Sequence, residues 1–453
     1  MMLYNINNVD ESLHQLELID VLQRLGVSYH FETEINNILE NHYKNINKMD
    51  KLKGCEKDLY ATSLQFRLLR QHGYHLSTEM FDRFVDETGN FKKTLSIDIK
   101  GMVSLYEASF LEVENESILE KARVLSQKIM KEYVRKEKEN NGEMLALINH
   151  ALELPLHWRM DRWEALWFIN AYETCANMIP ALLQFAKLDF NMLQAIYLEE
   201  LKDVSRKFLA KLIALGTTID DVYDVYGSLE ELELFTQTVD RWDINAIDDL
   251  PHYMKECFLT ILNLVDELAF DILKWAEFCK AYLVEAKWYY SGYKPTLQEY
   301  IENAWISVAT NLVLVHVYFF IQHPIRKEDL DYIEEHPLLF RYSGTIVRLV
   351  DDLATSKDEM VRGDVPKAIQ CYMNEFEACE EDSREYLKSM IRETWKKINE
   401  QVGKSCLCGS LKDLAMSIPR TAQWFYQYGD GYGVQDNQTK SRILSLLMEP
   451  IPY

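Results

Sequence analysis

Only 16 glycines and 10 prolines interrupt this chain of 453 residues, and between them apolar side chains recur at steps of three and four. That spacing gives a helix one face for a core and another for water, so the expected fold class is all-α. The length exceeds what one compact core usually organises, which predicts two helical domains. The proline of Leu154-Pro155-Leu156-His157-Trp158-Arg159 breaks the pattern just before a Trp-rich helix carrying Trp158, Trp163 and Trp167. It sets the expected boundary between residues 1–153 and residues 154–453. The first part reads as short helices separated by polar loops and holds no chemical motif. In the second, helices are expected over 191–226, 253–290, 296–322, 338–356, 383–400 and 411–428.

A formal net charge of -23 argues against nucleic-acid or anionic-membrane partners, because no basic surplus exists to displace counterions. No charge-free apolar run approaches the roughly 18 to 20 residues of a membrane span. The eight cysteines are scattered, with only Cys406 and Cys408 close together, and they predict buried free thiols in a reducing compartment. Residues 1–10 show neither a signal nor a transit pattern. The expected location is cytoplasmic by default, or plastid if the native N terminus is longer.

Two acidic clusters carry the chemistry: Asp220-Asp221-Val222-Tyr223-Asp224, and a second that runs from Asp351-Asp352 through Thr355 to Asp358-Glu359. Residues four apart on a helix share a face at about 6 Å, so Asp220 pairs with Asp224, and Asp351, Thr355 and Glu359 repeat that step. Hard oxygen donors without Cys or His select Mg2+ or Mn2+, which bridge carboxylates to a substrate phosphate. Bound cations also answer a problem of sign, since an anionic substrate would otherwise meet a field of -23. A solvated acidic turn is the alternative for the first cluster alone. The hydroxyl placed between two carboxylates in the second argues for a paired clamp.

Upstream of the first cluster, Phe208, Leu209, Leu212, Ile213, Leu215 and Ile219 form an apolar stripe, and Gly227 follows as a helix stop. The aspartates therefore sit at a helix C-terminus, where the dipole disfavours them by about 0.3–1 kcal/mol each. Arg348 lies one turn before Asp351, and Lys367 follows Glu359 in Arg362-Gly363-Asp364-Val365-Pro366-Lys367. Either suits the oxygens of a leaving phosphate, the alternative for each being a surface ion pair. Aromatic residues such as Trp305, Tyr318, Trp424 and Tyr426 fill the second part; most suit a core, and a few suit a cavity that stabilises a cation. Metal-triggered loss of diphosphate beside such a cavity is the chemistry of a prenyl cation.

These residues resemble the plant terpene synthases, specifically the angiosperm subfamily rich in monoterpene synthases. The matching strings are the Leu154-to-Arg159 segment, Thr217 to Gly227, Glu285-Ala286-Lys287-Trp288-Tyr289-Tyr290, Arg348 to Leu353, Arg362 to Lys367, and Tyr426-Gln427-Tyr428-Gly429-Asp430-Gly431-Tyr432. The resemblance extends into the first domain through Leu16 to Asp20 and Leu105 to Phe110. It implies a C-terminal class I terpenoid synthase fold, an N-terminal non-catalytic helical domain, and ionisation of a prenyl diphosphate by three Mg2+ ions, with Mn2+ as a substitute. Asp220 and Asp224 would hold metal on one wall with Asp221 in support, and Asp351, Thr355 and Glu359 on the other. Arg348 and Lys367 would contact diphosphate, Trp305 the substrate, and Tyr426 with Asp430 would form a catalytic polar–aromatic pair.

Geranyl diphosphate is the expected substrate and a monoterpene the product, with farnesyl diphosphate second. No other partner is implied, and the chain is expected as a monomer or weak homodimer. A chain-elongating prenyltransferase would carry a second DDxxD in place of the Thr355 and Glu359 pattern. Three departures stand out. An Arg-Asp-Arg element usual between Arg206 and the aspartate helix is missing, so two helices are expected to fuse; the segment around Asp271 to Trp275 is short; and the tandem-arginine motif is missing at the N terminus. Activity is expected to be weakened or lost, and a non-catalytic relative is the alternative.

Overall fold

The computed structural model of the chain describes residues 9–49, 58–137, 142–207, 209–242, 244–265, 269–321, 327–334, 338–362, 365–404, 409–431, 433 and 437–453. The regular structure among the described residues is helical, apart from a lone β-bridge between Val85 and Phe91. The helices are α1 (Val9–Arg24), α2 (Glu32–Met49), α3 (Leu59–Gln71), α4 (Ile99–Ser109), α5 (Ser117–Lys136), α6 (Glu143–Glu153), α7 (Asp161–Tyr172) and α8 (Pro180–Lys207). They continue as α9 (Leu209–Asp221), α10 (Leu229–Arg241), α11 (His252–Val265), α12 (Ala269–Ser291), α13 (Leu297–Ser307), α14 (Thr310–Ile321) and α15 (Lys327–Glu334). The last are α16 (Leu338–Arg362), α17 (Ala368–Phe376), α18 (Glu380–Lys404), α19 (Gly409–Phe425) and α20 (Asn437–Leu447). Among the described residues no helix is long and apolar enough to cross a membrane.

Two compact units result. The first is Met1–Ile196 with Asn399–Lys404 and Ser441–Tyr453, and the second is Tyr197–Ile398 with Ser405–Lys440. In the first, Leu16 and Ile19 of α1 share a core with Phe66 of α3, Leu105 of α4, Phe168 of α7 and Phe190 of α8. Pro155 therefore breaks the helical pattern without dividing the packing, because α7 and the start of α8 bury their apolar faces in that same core.

An ionic network is sealed into the first unit. Glu164 accepts from Arg24 Nε at 2.8 Å and from Arg159, and it lies 2.8 Å from His150 Nε2. The His150 ring stacks on Trp167 at 3.6 Å. Burial pushes His150 down to about 4, against the pull of Glu164. Burial alone would raise Glu164, but Arg159 and Arg24 hold it well below the usual carboxylate range. The unfolded chain thus takes up a proton at His150 below about pH 6.5, whereas the folded chain does so only near 4. Glu164 adds the same sign lower down. The contribution of this network is expected to hold above pH 6.5 and to fall between 6.5 and 4, read by circular dichroism as the melting-temperature difference between the chain and His150→Gln.

In the second unit the expected helices form, with one break among the described residues. The 296–322 run divides into α13 and α14 because Ala309 takes a left-handed backbone, φ 61°. The 253–290 run is α11 and α12, with 266–268 outside the described residues. Of the 191–226 run, α8 ends at Lys207 and α9 starts at Leu209; Phe208, where fusion was expected, lies outside the described residues, as do the side chains of Leu209 and Leu212. Leu215 and Ile219 are buried as expected, whereas Ile213 is exposed.

Helix α16, which carries the second acidic cluster, packs on α13 and α19. Its approach to α13 depends on Gly344, where an added Cβ would stand 2.6 Å from the main-chain oxygen of Trp305. That oxygen cannot swing aside as a side chain would. Gly344→Ala is expected to destabilise the unit by about 1–3 kcal/mol, the usual range for overpacking, as read from urea denaturation.

Candidate functional site

Helix α9 ends at Asp221 and passes into a π turn, Val222–Tyr226, closed where Gly227 N donates to Val222 O at 2.8 Å. Such wide turns cluster at functional sites. Tyr290 of α12 donates to Gly227 O at 2.7 Å and fixes the end of this one. Asp220 Oδ1 accepts from Tyr282 of α12 at 2.5 Å. Asp224 Oδ2 accepts from Lys367 Nζ at 3.3 Å, and its Oδ1 is buried with no hydrogen-bond partner among the described residues. Burial and the charge of Asp224 push the Asp220 carboxyl up to about 6, with Lys367 pulling the other way. Asp221 is exposed and separate from this pair.

The second cluster lies on α16. Arg348 Nη1 is 3.3 Å from Asp351 Oδ2 and 3.1 Å from Asp352 Oδ1, while Arg348 Nε is buried with no hydrogen-bond partner among the described residues. Thr355 Oγ1 donates to the Asp351 main-chain oxygen at 3.0 Å, so the hydroxyl stands on the Asp351 face as the spacing predicts. The Glu359 side chain lies outside the described residues. Burial raises Asp351, opposed by Arg348 and by a hydrogen bond from Tyr426. Tyr426, just beyond α19, is itself pushed up by burial and by Asp351. The charge of Asp430 also raises Tyr426, and Asp430 Oδ1 accepts from Gly433 N at 2.6 Å. Trp305 is buried on α13.

Lys367 joins the two clusters. It stands at the start of α17, after the second cluster in sequence, and its ammonium reaches the first. Sequence reasoning missed Glu285 as a site residue, although it stands in one of the matching strings. It is buried on α12, accepts from Ser307 Oγ at 2.6 Å and Asn303 Nδ2 at 2.9 Å, and feels Lys367, Arg348 and Asp224. The available signal was an acid on a helix face that also buries Ala281, Tyr282 and Ala286. A surface groove of about 600 Å³ bounded by Trp288, Tyr290, Tyr293 and Lys287 lies elsewhere, lined by none of the expected site residues.

The donor set is all oxygen, which suits Mg2+. Two buried polar atoms of opposite character remain over, the Asp224 oxygen for a cation and the Arg348 N–H for an anion. A metal–diphosphate pair would satisfy both. Among the described residues no three carboxylate, His or Cys side chains gather at one point. The carboxylates instead stand as separate sets, each held by a basic side chain, Lys367 on the first and Arg348 on the second.

Comparison with known proteins identifies the family. Residues 1–152 match the terpene synthase N-terminal domain, and residues 186–397 match the metal binding domain of the terpene synthase family. A chloroplastic myrcene synthase of Quercus ilex is 51% identical, covering 100% of this chain and 83% of its own length. The chain belongs to the terpene synthase family. That alignment spans 504 positions, 51 more than the 453 residues here, so the relative carries residues that this chain lacks within the matched span. Limonene synthase solved with 2-fluorolinalyl diphosphate superposes with a TM-score of 0.90 at 38% identity, covering 97% of this chain and 91% of that one. Isoprene synthase from grey poplar leaves (Populus x canescens), solved with three Mg2+ ions and dimethylallyl-S-thiolodiphosphate, gives 0.89 at 37% identity, covering 100% and 95%.

Proposed function

We propose that this chain is a magnesium-dependent terpene synthase that ionises geranyl diphosphate and releases a monoterpene and diphosphate. The observation that carries the reading is the Lys367–Asp224 contact, which ties the residue following one acidic cluster to the carboxylate of the other. Asp220 and Asp224, with Asp221 beside them, would hold metal on one wall, and Asp351, Thr355 and Glu359 on the other. Three Mg2+ ions are expected, Mn2+ being a substitute. Bound metal supplies Lewis-acid stabilisation of charge on the phosphate oxygens.

The C–O bond of the allylic ester breaks, its electron pair leaving on a diphosphate oxygen that Arg348 and Lys367 would receive. Carbon keeps the positive charge, and loss of a proton to a base yields a hydrocarbon. Tyr426 presents an aromatic face and, through its hydroxyl, orients Asp351. Trp305 supplies apolar wall, and Asp430 polarity beside Tyr426. Catalysis is assigned to residues 154–453, with residues 1–153 non-catalytic. The chloroplastic relative supports a plastid location. No nucleic-acid or membrane partner is invoked, and the working unit is a monomer or weak homodimer.

Incubation with geranyl and farnesyl diphosphate, each with Mg2+ or EDTA, followed by gas chromatography, tests this. Monoterpenes from geranyl diphosphate with Mg2+ alone are expected, and less product from farnesyl diphosphate. Product only from farnesyl diphosphate, or product in EDTA, would overturn the assignment.

A further inference from the structure

We propose that Asp352 is a positioning residue that sets both cations of the diphosphate site through one buried carboxylate. The inference deepens the proposed function and rests on it. Asp352 is fully buried on α16, beside the expected metal ligand Asp351. Its Oδ2 accepts from the Tyr300 hydroxyl of α13 at 2.9 Å and from Ala368 N, the first residue of α17, at 2.8 Å. Its Oδ1 faces Arg348 Nη1 at 3.1 Å. With both oxygens engaged inside the protein, the carboxylate serves these three donors rather than a metal.

What it holds is the site's basic pair. Ala368 N is one of the donors a helix N-terminus leaves over, and a carboxylate there is also favoured by the helix dipole. Lys367 immediately precedes it as the capping residue of α17, and its own N–H donates to Gln370 Oε1 at 3.0 Å. The main chain on either side of the Lys367 Cα is therefore pinned, by Gln370 and by Asp352, and the side chain leaves toward Asp224. The same Asp352 carboxylate draws Nη1 of Arg348 to one side. Shifting Asp352 would misplace Arg348 and Lys367 together, although one lies on α16 and the other at the head of α17.

The test is calorimetric titration of the full chain with inorganic diphosphate in the presence of Mg2+, a readout that needs no turnover. Asp352→Asn is expected to weaken diphosphate binding by about tenfold or more, the scale of a lost hydrogen bond to a charged group. Lys367→Gln should weaken it similarly. Because Asp352 acts through Lys367 on one branch and through Arg348 on the other, the double variant should bind more weakly than Lys367→Gln alone but clearly short of the product of the two single effects. Tyr300→Phe, which removes one bond to Oδ2 and keeps the charge, should cost about threefold, and this cost should shrink in the Lys367→Gln background.

A purely structural role would lower the melting temperature and leave the affinity of the folded protein unchanged. If Asp352→Asn fails to fold, the Tyr300→Phe and Lys367→Gln cycle decides the matter by the same criterion. Single-variant effects that multiply, or an Asp352→Asn affinity within twofold of wild type, would overturn the inference alone. Absence of Mg2+-dependent diphosphate binding by the unsubstituted chain would overturn the proposed function and this inference with it.

Discussion

Asp224→Asn is expected to lower Mg2+-dependent turnover by about a thousandfold, equivalent to about 4 kcal/mol in the barrier. Two losses add at this residue. Asn keeps an acceptor for Lys367 but removes the charge that holds its buried ammonium toward the site. It also removes the buried, unpartnered Oδ1 available to a metal ion. The fold should survive, because Asn keeps the acceptor for Lys367 and removes the repulsion that, after burial, pushes Asp220 up to about 6. Steady-state kinetics against Mg2+ concentration, with melting temperature as a control, measures both quantities. A loss smaller than tenfold would take Asp224 out of the metal set.

The second large effect concerns what the chain lacks. Its alignment with the Quercus ilex myrcene synthase is 51 positions longer than the chain, and Arg206 leads directly into Lys207 where an Arg-Asp-Arg element is expected. Each donor aimed at developing charge is worth about 10²–10³ in turnover. The chain as it stands is therefore expected to work slowly, and inserting the relative's corresponding segment after Arg206 should raise turnover with geranyl diphosphate by about a hundredfold or more. Rates that match before and after insertion would show that the segment contributes nothing to the chemistry.

Helix content was legible because periodicity and scarce breakers are local properties, and α16, α18 and α19 fall close to where spacing placed them. The break at Ala309 was not, since alanine favours helix and only the tertiary context imposes its left-handed backbone. The proline at Leu154-Pro155 reports local backbone, and α7 and the start of α8 pack in the core of the first unit. Within the site, the spacing of Asp351 and Thr355 was enough to put them on one face. Spacing set Asp221 apart from the Asp220–Asp224 pair, and in the structure Asp220 is held by Tyr282 whereas Asp221 is exposed. Asp352 and Glu285 escaped notice for a common reason: their partners, Tyr300, Ala368, Ser307 and Asn303, lie on other helices or another turn. Such convergence is not written in any single stretch of sequence.

The most direct measurement is diphosphate release from geranyl diphosphate with enzyme in excess over substrate, in Mg2+ and in EDTA. A single turnover under these conditions registers even slow chemistry. The account predicts release in Mg2+, none in EDTA, and none from Asp224→Asn over the same interval. Equal release with and without metal, or no release from the unsubstituted chain in Mg2+, would contradict it.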